Sequence, residues 1–224
     1  MPPHHRRRTR RSFVLLLLCL ASPVAFARHH QSAATQDGEA GQFDYYLLSL
    51  SWSPTYCLTH AFDRAQCAGK GYGFVLHGLW PQYDAGGYPH NCTDHPLPAD
   101  AQALGETLYP SPSLVRHEWA AHGTCSGMDA MTYFRTADRA TAVVRIPEVF
   151  EAPRATLMMP TAQIAAAFRA ANPLLPEGSL AVICSRGQLA EVRACLSRTL
   201  ALRSCGRDVR SGCPPGPVAI RSTR

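Results

Sequence analysis

The chain has 224 residues, 46% hydrophobic and 17% charged, which is enough for one sizeable core and short for two ordinary domains. Its formal charge is +6, but five arginines and no acidic residue lie in the first 27 positions, so the rest holds 17 basic against 16 acidic residues. A globally basic nucleic-acid binder is thereby excluded, and any affinity for nucleic acid has to come from local grouping of charge.

Residues 1–27 read as an export signal: a basic segment with Arg6, Arg7, Arg8, Arg10 and Arg11, the apolar run Phe13 to Leu20, and the small-residue triplet Ala25-Phe26-Ala27. The apolar run falls short of the roughly 20 residues a membrane-spanning helix needs, so no membrane association is expected once the signal is removed. Thr9 to Leu15 also resembles a twin-arginine export motif, which leaves the export route open. A periplasmic or secreted location is expected. Residues 28–41 are polar without apolar periodicity and read as a flexible leader, and residues 42–224 as a single domain.

Phe43 to Trp52 is aromatic and aliphatic, stops at Ser53-Pro54, and predicts a strand; Gly73 to Leu79 predicts a second. Both are apolar at most positions, as central strands buried on two faces are. Between Ser113 and His122 the chain offers a short helix, with Ser113 as N-cap and Gly123 as stop. Met128 to Val144 and Thr161 to Ala171 have helical composition, the second bounded by Pro160 and Asn172-Pro173. Leu180 to Cys184 and Leu189 to Leu196 read as strands joined by a turn at Ser185-Arg186-Gly187. Pro214 to Pro217 is expected to end the ordered part. The elements show no regular βαβ alternation and no repeat, so the class is α+β.

Cys19 leaves with the signal, and eight cysteines remain, an even number that fits an oxidising compartment. No CxxC spacing occurs, which argues against a zinc knuckle and a thioredoxin-type redox site. Four structural disulfides are expected, each contributing about 2 to 4 kcal/mol, although sequence alone leaves about a hundred pairings open.

Unusual chemistry concentrates in two segments, Leu76-His77-Gly78-Leu79-Trp80-Pro81-Gln82 and Arg116-His117-Glu118-Trp119-Ala120-Ala121-His122-Gly123-Thr124-Cys125. In a helix Glu118 and His122 share a face, while His117 and His122, five apart, diverge by about 140°. A zinc protease needs H-E-x-x-H, and this chain reads H-E-x-x-x-H, so the spacing is wrong for that metal. Cleavage of RNA without a metal requires a base for the 2′-hydroxyl proton, an acid for the leaving 5′-oxygen, and a donor for the phosphorane. Two histidines suit the first two tasks, because an ordinary value near 6.5 lets one be neutral and the other charged. His77 on a strand and His122 on a helix are placed to face each other across a cleft.

These segments closely resemble the two active-site blocks of the ribonuclease T2 family, HGLWP and HEWxKHGTC, and the likeness extends from Trp52-Ser53-Pro54-Thr55-Tyr56-Cys57 to the C-terminal cysteines. The resemblance implies a central antiparallel sheet flanked by helices, and cleavage of single-stranded RNA through a 2′,3′-cyclic phosphate. Carried over by position, it implies His122 as general base, His77 as general acid, Glu118 assisting at the phosphate and His117 binding it, with Trp80 against a base. The pairings it implies are Cys57–Cys67, Cys92–Cys125, Cys184–Cys213 and Cys195–Cys205. A monomer acting on RNA without metal or cofactor is the expectation. Trp52 and Trp119 are read as core, and His60, His90 and His95 as surface histidines. One departure stands out: the family's second block has lysine where this chain has Ala121. A catalytically weak or inactive RNA-binding or partner-binding protein on the same fold is therefore the rival reading.

Overall fold

In the computed structural model, which describes residues 38–223, the aromatic stretch after Phe43 forms the central strand β1 (Tyr45–Trp52). It pairs antiparallel with β2 (Phe74–Gln82) and with β5 (Gln188–Ser197). β4 (Leu180–Ser185) pairs antiparallel with β5, while β3 (Leu157–Pro160) and β6 (Pro217–Ile220) complete the order β2-β1-β5-β6-β3. The helices are α1 (Ser53–Tyr56), α2 (Arg64–Cys67), α3 (Ala99–Leu108), α4 (Pro112–Ala121), α5 (Ala130–Val143) and α6 (Thr161–Ala171). The α+β class with an antiparallel sheet flanked by helices is therefore what forms, with one parallel contact where Gln188 of β5 meets Ala219 of β6.

Strand alternation sorts the sheet into two faces. Tyr46, Leu48, Leu50 and Trp52 of β1, with Val192, Ala194 and Leu196 of β5, enter the main core, where Val115 and Trp119 of α4 and Phe134 of α5 meet them. The intervening residues Tyr45 and Leu47 join Cys195 in a smaller cluster, with Trp80 packed against it. Ser49, Ser51, Glu191 and Arg193 belong to this second face by the same alternation. β1 is central as expected. β2 instead closes one edge of the sheet, against α4 and α5, and Tyr133 donates a 3.0 Å hydrogen bond to the Leu79 carbonyl there.

The four disulfides form as the family pattern implies: Cys57–Cys67, Cys92–Cys125, Cys184–Cys213 and Cys195–Cys205. No helix among the described residues is long and apolar enough to cross a membrane.

Several boundaries differ from expectation. The export signal and residues 28–37 of the leader lie outside the described residues. Residues 38–41 are not a loose leader, because the Gly41 N–H donates to the Cys125 carbonyl at 2.9 Å and the Gln42 N–H to that of Glu39 at 3.1 Å. Order does not end at Pro217, where β6 begins opposite β3. Pro160 faces Pro217 at the end of that ladder, a position where a missing N–H costs little. Helix α3 was not foreseen, since only Ala101 and Gly105 of it are buried and its apolar signal is weak. Helix α5 begins two residues after Met128 because Asp129 caps it, accepting from the Thr132 N–H.

Candidate active site

The site starts from an irregularity in β2. Ser49 lies opposite Gly78, but Leu50 lies opposite Leu76, so His77 is the extra residue of a bulge, a device that re-aims a side chain out of the regular pleat. A Cβ on the adjacent Gly78 would overlap both the Trp80 indole and the Glu118 carboxylate. Its absence lets Trp80 Nε1 donate to Glu118 Oε2 at 2.8 Å.

The second segment lies on α4 and just beyond it. The helix is capped by Ser111, whose hydroxyl accepts from the Leu114 N–H, and not by Ser113 as expected. Pro112 takes the first turn, where its fixed φ and missing N–H fit. The helix ends at Ala121, not His122, whose φ of −125° and ψ of −43° leave the helical path while its N–H still bonds the Glu118 carbonyl at 3.1 Å. This departure overturns the expected divergence of His117 and His122, whose ring centroids are 6.2 Å apart. Gly123 does not stop the helix through a left-handed conformation; a Cβ there would press into Trp119 and Tyr133. A 3-10 turn, Gly123–Ser126, follows and is tied to the loop after β2 by Cys92–Cys125.

Burial and neighbours set the charges. Glu118 is 0% exposed, and burial raises its carboxyl to about 8, partly opposed by the His77 charge and the Trp80 hydrogen bond. Among the described residues its Oε1 has no hydrogen-bond partner, nor has Nδ1 of His122. Burial, reinforced by His117, His90 and His77, lowers His122 to about 3. His77 moves the opposite way: burial disfavours its cation, but the hydrogen bond and charge of Glu191 prevail and raise it. His117 is lowered by burial and by the neighbouring His77 and His90.

All five residues predicted from the two blocks converge. The Trp80 ring centroid is 5.1 Å from that of His77 and 5.2 Å from that of His122. A cavity of about 460 Å³ opens on one side, lined among others by Tyr56, His60, His77, His117 and Glu191. A second, of about 320 Å³, opens on the other, with Trp80, Tyr88, His122, Arg193 and Arg210 in its wall. Trp52 and Trp119 are buried as expected. His60 and His95 are exposed as expected and His90 is half-buried, and His60 and His90 adjoin the site. His60 stacks on Tyr56 at 4.0 Å, and His90 is 6.2 Å from His122.

Glu191 and Arg193 escaped the sequence reading. Glu191 Oε1 lies 2.8 Å from His77 Nδ1, and its Oε2 accepts from Arg193 Nε at 2.7 Å. The signal that would have found them is a pair of charges two residues apart in a strand otherwise filled by Leu189, Val192, Ala194 and Leu196.

His117, Glu118 and His122 each offer one ligand atom, all within 4.8 Å of one another, a convergence that the H-E-x-x-x-H spacing did not foretell.

The Ribonuclease T2 family model matches residues 43–205. A ribonuclease of Aeromonas hydrophila is 50% identical over 106 residues, covering 47% of this chain and 48% of that protein. Ribonuclease DdI of Dictyostelium discoideum is 28% identical over 224 residues, covering 91% of this chain and 97% of its own. The chain spans about half the length of the first curated relatives it matches. Among solved structures, an RNase-related protein from Calystegia sepium superposes with a TM-score of 0.67 at 25% identity, covering 84% of this chain and 100% of that one.

Proposed function

Because the chain belongs to the ribonuclease T2 family, we propose that it is an endoribonuclease. It cleaves single-stranded RNA without a metal, through a 2′,3′-cyclic phosphate that is then hydrolysed to a 3′-phosphate. The observation that carries the reading is the opposite displacement of two histidines packed on one indole. His122, held neutral, takes the proton from the 2′-hydroxyl. His77, held protonated, gives one to the leaving 5′-oxygen, and the roles reverse when water opens the cyclic phosphate.

Glu118 is protonated below about 8, so it places no negative charge close to the phosphate while its hydrogen bond to Trp80 holds the indole between the two histidines. His117 offers a further donor. His122 is neutral above about 3 and Glu118 protonated below about 8, while His77 stays charged beyond its ordinary value. The three hold their working states together at mildly acidic pH. Two cavities flanking the histidines support a nucleotide on each side of the scissile phosphate, with Trp80 and Tyr88 offering ring faces to one base. Eight paired cysteines support a domain released into the periplasm or the medium.

The test is to incubate the oxidised protein with single-stranded RNA and its 2′-deoxy counterpart in excess EDTA and to examine the product ends. Cleavage of RNA alone, leaving cyclic phosphates, is expected. Activity abolished by the chelator would instead assign the His117, Glu118 and His122 trio to a metal. The absence of lysine at Ala121 favours one second reading, an RNA-binding protein without turnover, and uncleaved but retained RNA would support it.

A further inference from the structure

We propose that Glu191 is the positioning residue of His77, fixing the orientation and tautomer of its ring, with Arg193 and Ser49 holding the carboxylate in place. The inference rests on the reading of His77 as an acid. Register explains why the contact exists: Glu191 pairs with Ser51, and Arg193 with Ser49, on β1, while His77 emerges from the bulge next to Gly78, the residue opposite Ser49. The strand period puts Glu191 and Arg193 on one face, and the bulge swings the imidazole toward them.

The carboxylate is fully engaged. Its Oε1 meets His77 Nδ1 at 2.8 Å, and its Oε2 accepts from Arg193 Nε at 2.7 Å and from Ser49 Oγ at 3.2 Å, with Arg193 Nη2 also 2.7 Å away in the ion pair. A carboxylate only accepts, so the ring proton on Nδ1 is held and Nε2 is left for the cleft. When the cation gives its Nε2 proton to the 5′-oxygen, it becomes the neutral Nδ1–H tautomer. That tautomer keeps its bond to Glu191 and presents the Nε2 lone pair to the incoming water. Without Glu191 the neutral ring is free to place its proton on either nitrogen and to rotate. Other charged and titratable groups face His77: Arg193 on β5, His117 and Glu118 on α4, His122 beyond its end, and His60 and Asp63 across the larger cavity. Of these, Glu191 alone is hydrogen-bonded to the ring among the described residues.

The test compares the oxidised wild-type protein with E191Q by nitrogen NMR of the histidine rings and by the pH dependence of RNA cleavage. In E191Q the His77 titration is expected to move down by about one pH unit or more. The alkaline limb of kcat/KM should move with it, and kcat should fall by at least about tenfold while KM changes by less than about threefold. A His77 titration that stays in place overturns the proposal even if activity is lost, because Glu191 would then be structural only. E191A, which removes the carboxylate outright, gives the same downward shift of the His77 titration and serves if E191Q does not fold. The NMR measurement needs no turnover. Wild-type protein that leaves RNA intact while E191Q moves the titration defeats the functional reading and leaves the positioning role standing.

Discussion

Trp80 Nε1 donates a 2.8 Å hydrogen bond to Oε2 of Glu118, across a gap that exists only because residue 78 has no side chain. The bond joins the two sequence blocks and is the only one made by the Glu118 carboxylate among the described residues. G78A would insert a methyl group between the two partners. Overpacking of this kind costs about 1 to 3 kcal/mol, and displacement of Glu118 is expected to lower kcat/KM by about a hundredfold. Thermal unfolding and steady-state kinetics on RNA check the two effects, and a folded G78A protein of wild-type activity would refute the arrangement.

Burial of Glu118 makes a prediction for stability. Its folded value, about 8, lies above the ordinary carboxyl value of 4.5. The stability tied to its proton is therefore present below 4.5 and lost as pH rises through about 8. E118Q is neutral at every pH. Its melting temperature is expected to rise relative to wild type between pH 5 and pH 9, by an amount equivalent to a few kcal/mol, while its RNA cleavage drops. Parallel melting curves for the two proteins across that range would count against a protonated Glu118.

Ala121 is 3% exposed at the end of α4, directly before His122. Restoring the family's lysine with A121K supplies a cation beside the base, and a missing donor to a phosphorane is worth about 10² to 10³ in rate. Turnover is expected to increase by about tenfold or more, at some cost in melting temperature because the position is packed. No gain in kcat from a folded A121K protein would mean that the missing lysine does not limit the rate.

The Cys92–Cys125 bridge closes a 33-residue separation onto the turn that follows His122. Replacing both residues with alanine is expected to destabilise the fold by about 4 kcal/mol. It should also lower kcat at temperatures where the protein remains folded, because the turn that carries His122 away from the helix loses its tether. Denaturant unfolding and single-turnover cleavage separate the two consequences.

Local patterns were legible in the sequence wherever a short segment determines its own state. Thr161 to Ala171 forms its helix with the expected bounds, and Leu180 and Leu189 begin or adjoin the expected strands. The two blocks named His77, Trp80, His117, Glu118 and His122, and the structure gathers all five. Helix α3 and strands β3 and β6 were not legible, since each is short or weakly apolar and is held by partners distant in the chain.

By itself the sequence determined the reactive groups, the count of cysteines and the order of the main elements, because motifs, composition and periodicity are local properties. Only the tertiary structure decided that His122 leaves the helix to approach His117, and that Glu191, 114 residues away, grips His77. It also decided that two chemically identical imidazoles are displaced in opposite directions. The reason is physical: a protonation state is set by desolvation and by the charges nearby, and both depend on which distant segments the fold packs around the ring.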